Sequence, residues 1–547
     1  MSSKKPHFSL LVLSMSAALF LSLAWPPLPF VFLLFFAMVP LLLIELVTER
    51  FRLPAWTCFL YIYLALVTWH VSTTYWIYKT TVTGGVLIHL INPLLLTIPW
   101  LFFRWVKRRV GPVTGYVGLV SAWLALEYFH HSWQFAFPFM TLGNGLSRYP
   151  QLVQFYEYTG VLGGSLWILI VNISVFIVIK KAFVGQEVLF SRIPARSWLV
   201  PLACMVIPAS GSLLLFYSYE EKGVPVEVVA IHPNTDCYDV KYASDPGDLV
   251  KRYLALTFRE ITPNTDYVIW PETAITDAGW LENLRQDRLI KRIKDTLAVY
   301  PKSKLITGAI LYERYNERPA PEALPHVQYS SASKVWYYTY NAALQLGGGN
   351  TIPVRTKKQL VPVEETIPYV REFSVLRNVV SSLGGFSFST RKVNNNVFTS
   401  ANGNIGVTPM ICYETLFGTS AAEYVNKGSD LLFILLNEGW YKDRTGAAQF
   451  MHYACLRAIE NRRSIARSSN DGVSCFINQR GELLQTVSEY KPTAIKQTLR
   501  ANSRKTLYTY FGDYIGVVAI FSTAIILVIA LWYRVRGKKP ETLLGKQ

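Results

Sequence analysis

A cysteine, a glutamate and a lysine each stand where an apolar stretch gives way to polar residues between residues 270 and 415 of this 547-residue chain. Cys412 follows Pro409-Met410-Ile411 and precedes Tyr413-Glu414. Glu272 follows Trp270-Pro271, and Lys357 lies in Arg355-Thr356-Lys357-Lys358-Gln359-Leu360. A thiol becomes a nucleophile when a base takes its proton and a cation or dipole holds the thiolate. Glu272 could serve as that base. Lys357, with the backbone N–H of Tyr413, could hold the negative oxygen of a tetrahedral intermediate. Each residue also has an ordinary alternative: a surface carboxylate, a solvated basic loop, and a buried strand-end thiol. Glu414 lies two residues after Cys412, so on a continuing strand it points to the same face and could orient Lys357 or fix the local loop.

Strand ends are where a layered α/β domain presents such groups. Strand-like runs cover 226–234, 265–275, 304–313, 335–347, 404–414, 430–440 and 464–482, and helical stretches cover 280–298, 416–427 and 446–462. Strands alternating with helices predict an α/β layered domain. The run 347–350, GGGN, lacks the Gly-Lys-Ser/Thr of a phosphate loop, and no GxSxG or HExxH occurs. The six cysteines form no CxxC pair.

The first part of the chain is different. The whole is 51% hydrophobic and only 16% charged, against about 25% charged in a soluble domain. Eight apolar runs are long enough to cross a bilayer, near 8–24, 27–48, 56–78, 84–105, 112–134, 160–183, 197–218 and 512–533. With the N-terminus in the cytoplasm, the cytoplasmic segments hold seventeen basic residues, among them Arg104, Lys107, Arg108, Arg109, Lys180 and Lys181. The opposite short loops hold Lys79 and Arg148, with Lys222 just after the seventh span. This positive-inside asymmetry places the α/β domain outside the cytoplasm and both termini inside. It also accounts for most of the +18 net charge without nucleic acid. Scarce charge within the spans argues against a transporter. Glu127 and the pair His130-His131 fall near the outer end of the fifth, where an interfacial position and a metal site are the two readings.

Taken together, the order Glu272, Lys357, Cys412 and the stretches WPET, KKQLVPVEE, ICYE and LNEGWY resemble the nitrilase (carbon–nitrogen hydrolase) superfamily. Eight spans with this domain between the seventh and eighth, and the stretch 136–167, resemble its membrane branch, the apolipoprotein N-acyltransferases. The resemblance implies a polytopic α-helical membrane domain of eight transmembrane helices plus a nitrilase-like αββα sandwich. The division is 1–220 for seven helices, 221–506 for the catalytic domain, and 507–547 for the eighth helix and tail. Glu365 aligns with the second glutamate of the family, with Glu364 where a glycine is common. Asn437-Glu438 stands for the usual Asn-Asp. The substrate-loop tryptophan has no equivalent assigned in 233–238.

The implied chemistry is a two-step exchange in a bacterial inner membrane. Cys412 takes an acyl group from a phospholipid donor, and the amine of a diacylglyceryl apolipoprotein acceptor then receives it, with no cofactor and no metal. Glu365, Tyr413 and Glu414 support the triad, and Asn437, Trp440, Phe386 and Phe388 are substrate contacts. The stretch 370–388, with Val375, Leu376, Leu383 and the hinge Gly384-Gly385, reads as a mobile arm or as an amphipathic helix packed on the core. A membrane-tethered amidase is the alternative enzyme, and a non-catalytic scaffold the alternative from another class.

Overall fold

The computed structural model describes residues 4–184, 187–188, 193–316, 326–331, 333–349, 351–366, 368–369, 388–390, 397–487 and 491–536. The chain divides into two compact units, one of residues 1–78, 82–218 and 511–547, the other of residues 79–81 and 219–510.

The first unit is helical because its apolar runs have no other way to satisfy their backbone groups in hydrocarbon. Among the described residues, seven helices are long and apolar enough to cross a membrane: Pro6–Ala24, Val31–Arg50, Ala55–Thr74, Val82–Arg109, Val161–Lys180, Ala195–Ser218 and Tyr514–Val535. The stretch predicted as the fifth span forms the helix Pro112–Phe129, but Gly115, Gly118, Ser121 and Glu127 dilute its apolar character and it is not one of the seven. Pro93 lies inside Val82–Leu96, and the helix breaks at Thr97 before resuming at Ile98, because Pro99 supplies no N–H and its ring crowds the turn before it. His130 and His131 are buried. His131 Nδ1 lies 3.1 Å from Asp513 Oδ2, and Trp133 Nε1 donates to His130 Nδ1 at 3.2 Å.

The second unit is layered α/β. Its strands are β1 (Val224–His232), β2 (Tyr267–Ile269), β3 (Lys304–Arg314), β4 (Val327–Ser330), β5 (Val335–Leu346), β6 (Val354–Thr356), β7 (Phe398–Thr399), β8 (Gly406–Ile411), β9 (Leu431–Leu436), β10 (Ile465–Ser469), β11 (Ser474–Ile477), β12 (Leu483–Val487) and β13 (Thr493–Ala501). Among the described residues one sheet runs β13-β1-β2-β3-β5-β4, with β6 on β5, and the other runs β12-β11-β10-β9-β8-β7. Parallel pairs β1·β2, β2·β3, β8·β9 and β9·β10 need crossovers. The helices Pro246–Glu260, Arg288–Leu297, Gly418–Asn426 and Arg444–Asn461 supply them. Asp245, Asp287 and Asp443 cap three of these helices by accepting from first-turn N–H groups.

The sheets meet face to face. The Tyr267 ring sits edge-on to Phe433 at 5.3 Å, and Ser468 Oγ donates to the Ile231 carbonyl at 2.6 Å. β9, Leu-Leu-Phe-Ile-Leu-Leu, is buried along its whole length, as expected of a central parallel strand covered on both faces. Two predicted elements differ. The run 464–482 is two strands turning at 470–473, where Gly472 has φ +109°. The helix predicted from 280 starts at Arg288, where Asp287 caps it.

Candidate active site

β2 ends at Ile269 and the chain leaves the sheet along β3. The Gly308 N–H donates to the Pro271 carbonyl at 3.2 Å, and the Ile275 N–H to the Gly308 carbonyl at 3.1 Å. A Cβ at Gly308 would lie 2.4 Å from Thr273 N and 2.6 Å from Glu272 Cα, so only glycine permits this approach. The route carries Glu272 into the interior, 5% exposed.

β6 brings the lysine. The Lys357 N–H extends the ladder to the Asn341 carbonyl at 2.8 Å, so the side chain points inward. Its Nζ meets Glu272 Oε1 at 3.1 Å and Glu365 Oε1 at 2.8 Å. Lys358, one residue on, points the other way and pairs with Glu423 at 2.6 Å. Glu365 Oε2 accepts the Val361 N–H at 2.8 Å, which ties the loop after Pro362 to the site. Asn341 Nδ2 donates to Glu272 Oε1 at 2.8 Å and to Glu365 Oε1 at 3.2 Å. Glu272 Oε2 accepts no hydrogen bond among the described residues.

Cys412 follows β8 with φ +49°, outside the conformations L-residues favour. The chain then tightens into a 3₁₀ turn, Cys412–Leu416. The thiol lies within electrostatic reach of Glu272, Lys357, Glu365, Glu438 and the buried Tyr441. The Tyr441 ring stacks on Phe450 at 5.6 Å. Burial first, then the negative charge of Glu272, push the Cys412 thiol well above its ordinary range, and Lys357 opposes them. The resting thiol is therefore protonated and needs a base in place. Burial also works against charge on Lys357, but Glu272 and Glu365 outweigh it, and its pKa is raised well above the usual lysine value. The lysine is a fixed cation. Burial raises the Glu365 carboxyl, Lys357 lowers it, and the Glu272 charge raises it further, with a net upward shift.

Of the two places expected for Glu414, the one facing Lys357 is not taken. After Cys412 the chain is no longer a strand, so Glu414 folds back beneath β8 instead of facing Lys357. It pairs bidentately with Arg355 at 2.9 Å through both oxygens and accepts the Ile411 N–H at 2.7 Å and the Lys358 N–H at 2.8 Å. Burial would raise its pKa, but Arg355 outweighs burial and holds it below the ordinary carboxylate range. The stability of such a pair is present above the unfolded glutamate value of about 4.3 and is lost as pH falls through the lower folded value. Glu414→Gln would leave Arg355 buried without its partner charge. A loss of about 3–5 kcal/mol is expected at pH 7, read as a lower urea midpoint of the detergent-solubilised chain. An unchanged midpoint would remove Glu414 from the frame of the site.

Tyr413 is buried with its ring edge-on to Phe417 at 5.5 Å. Asn437 is buried and its Oδ1 accepts from Asn470 Nδ2 at 3.1 Å. Trp440 is half-buried, stacked on Tyr242 at 5.7 Å and edge-on to Tyr238 at 5.1 Å. Phe388 is buried, and its N–H donates to the Glu365 carbonyl at 3.0 Å. Phe386 and the rest of 370–387 lie outside the described residues. Sequence reasoning missed Asn341, Arg355, Tyr441 and Tyr242. Only Asn341 carried a signal, as an amide within the otherwise apolar end of a buried strand.

Residues 17–174 match the family model for the apolipoprotein N-acyltransferase N-terminal domain, and residues 244–506 match that for carbon–nitrogen hydrolase. The chain is 26% identical over 545 residues to a Chlorobaculum tepidum protein named apolipoprotein N-acyltransferase, covering 96% of each chain. It is 25% identical over 467 residues to one of the same name from Geobacter metallireducens, covering 84% of this chain and 82% of the relative. A third, from Thermotoga maritima, is 22% identical over 463 residues, covering 84% and 79%.

Proposed function

The chain belongs to the apolipoprotein N-acyltransferase family and is an acyltransferase, and from that premise we propose that it moves an acyl chain from a membrane phospholipid to the α-amine of a diacylglyceryl-cysteine on an apolipoprotein. The observation that carries the reading is the buried Glu272–Lys357–Glu365 cluster in electrostatic contact with a cysteine held at positive φ.

In the first step Glu272 takes the thiol proton and Cys412 sulfur attacks the sn-1 ester carbonyl. The oxyanion forms facing Lys357 and the Tyr413 N–H. Its collapse breaks the ester C–O bond, Glu272 returns the proton to the leaving oxygen, and a lysophospholipid departs from a thioester. In the second step the acceptor amine attacks the thioester, Glu272 takes the amine proton, and Cys412 leaves as a thiolate and is reprotonated. An ester and an amine become an amide and an alcohol, so no nucleotide is needed. Trp440, Asn437 and Phe388 are the proposed substrate contacts.

Both substrates are bilayer lipids. Drawing a chain into water costs about 0.8 kcal/mol per CH₂, which favours a catalytic domain, residues 221–506, tethered at the bilayer by segments 1–220 and 507–547. The helix Pro112–Phe129 makes the proposed eighth span, and an even number of crossings puts both termini on one side. The basic-residue asymmetry makes that side the cytoplasm and the catalytic side the periplasm. Reporter fusions should therefore read residue 300 outside and both termini inside. A cytoplasmic readout at residue 300 would contradict the lipoprotein substrate as well as the orientation.

The test of function is intact mass of the purified chain after incubation with phospholipid vesicles. An acyl adduct on Cys412 that a diacylglyceryl-cysteine peptide then discharges as an amide is expected. Discharge to water alone would make the protein a hydrolase.

A further inference from the structure

Lys241 lies outside every motif that carries the triad, yet it is fully buried beside it. Its Nζ donates to the Glu272 carbonyl oxygen at 2.8 Å and to Thr273 Oγ1 at 2.9 Å. Among the described residues no carboxylate lies within ion-pair distance of it. The ammonium has been taken out of water to meet a peptide carbonyl and a hydroxyl, where an acid would compensate its charge far better. The Tyr242 hydroxyl meets the same Thr273 Oγ1 at 3.0 Å. The Lys241 N–H in turn donates to the Asp236 carbonyl at 2.8 Å, which closes the loop that carries the lysine.

The peptide it grips is strained. Thr273 has φ +48°, a conformation in which a β-branched residue is an outlier. Relaxation to negative φ requires the 272–273 peptide plane to rotate, which turns ψ of Glu272 and φ of Thr273 together. The same rotation swings the Glu272 carbonyl away from Lys241. Gly308 confines Glu272 Cα from the other side. The strain is therefore held at one oxygen, and the residue whose backbone would move is the proposed base.

We propose that Lys241 is a positioning residue whose ammonium locks the Glu272–Thr273 peptide, so that the Glu272 carboxylate stays registered on Lys357 and Cys412. The proposal rests on the acyl-transfer reading and adds to it a residue that touches neither substrate nor thiol. The charge of the clamp is itself poised. Burial lowers the Lys241 pKa to about 8, and Glu272 and Cys237 oppose the shift. The facing groups are Cys237 and the Tyr242 ring, 5.7 Å away, on its own loop, and Glu272 with Thr273 on the other. As pH rises through that range the ammonium becomes an amine and its grip on the carbonyl weakens.

The experiment uses the full chain in detergent with Lys241→Met, which keeps length and apolar bulk and removes the donors. Two quantities are read: the rate of Cys412 thioester formation against phospholipid concentration, and the pH profile of Cys412 alkylation by iodoacetamide, with adducts located by peptide mapping. The limiting rate should fall about 100-fold, the lower end of a lost general base, with the half-saturating lipid concentration unchanged. Alkylation near neutral pH should drop to the level of Glu272→Gln. A wild-type limiting rate, or an unchanged alkylation profile, overturns the proposal. If Lys241→Met does not fold, Thr273→Ala decides. Loss of one of the two acceptors should slow the same step about tenfold, and a wild-type rate overturns the proposal. A wild-type chain that takes no acyl group from phospholipid defeats the acyl-transfer reading instead, and the alkylation profile still reads the positioning.

Discussion

Cys412→Ala is expected to form no acyl adduct at all, while Cys455→Ala and Cys475→Ala form it at the rate of the unaltered chain. The difference lies in the surroundings of each sulfur. Cys455 and Cys475 are fully buried between the helix Arg444–Asn461 and β11. Burial pushes the Cys475 thiol up to about 12 and that of Cys455 higher still. The carboxylate that acts on Cys475 is Glu438, which is already held by Arg467, Ser469 and the Val473 N–H. Cys412 is also buried, yet Glu272 and Lys357 act on it directly. Its positive φ lifts the sulfur out of the strand into the space those residues face. The measurement is intact mass after a single turnover with phospholipid. An adduct on Cys412→Ala would move the nucleophile elsewhere and end the thioester mechanism. Because a thiol-to-methyl change keeps the backbone, loss of the adduct should come without loss of the urea midpoint.

The parts of this site legible in the sequence are those whose meaning is local. A strand end is marked by an apolar run meeting Pro271 or Tyr413, so Glu272 and Cys412 could be placed before any geometry was known. The choice between Lys357 and Lys358 is also local, since just after β6 one side chain turns inward and the next turns to Glu423. Glu414 shows where local reasoning stops. Its spacing from Cys412 puts it on the catalytic face only if the strand continues, and the 3₁₀ turn at Cys412 sends it to Arg355 instead. Arg355 sits in what reads as a solvated basic loop, and only its fully buried acid partner, 59 residues away in sequence, explains it. Lys241 and Gly308 are invisible for the same reason, since what they contact is fixed by the pairing of β2 with β3. In the fold, the helix Pro246–Glu260 was absent from the sequence reading although Asp245-Pro246 is a start signal. Its stretch DLVKRYLALTFRE mixes apolar residues with basic ones, and only packing of Leu249, Val250 and Tyr253 on β1 and β2 settles which face is inside. The fifth apolar run forms the helix Pro112–Phe129, in which Gly115, Gly118, Ser121 and Glu127 interrupt the apolar residues.

Two carboxylates share one ammonium in this site, and they should not be interchangeable. Glu365 has both oxygens engaged, Oε1 by Lys357 and Asn341 and Oε2 by the Val361 N–H. A proton arriving there would displace a hydrogen bond that holds the loop. Glu272 has Oε1 engaged by the same lysine and asparagine, while Oε2 is left to accept. Glu272→Gln should therefore suppress thioester formation by about 10²–10⁴-fold, the range of a lost general base, because an amide takes no proton from the thiol. Glu365→Gln keeps a carbonyl for Lys357 and loses one of the two charges that hold the lysine cationic. It should slow both steps and still allow the thioester to accumulate in a single turnover. Lys357→Arg should fail almost as badly as Lys357→Met. A planar guanidinium cannot occupy the point between Glu272 Oε1 and Glu365 Oε1 that an ammonium fills, and the oxyanion would lose a donor worth about 10²–10³-fold. Lys358→Ala should change the rate little, since its partner Glu423 is half-exposed and such pairs contribute at most about 1 kcal/mol. Rapid-quench mass measurements on the five variants separate these roles. Full thioester formation by Glu272→Gln together with none by Glu365→Gln would transfer the base to Glu365. The unengaged Oε2 of Glu272 would then be an acceptor for the incoming amine alone.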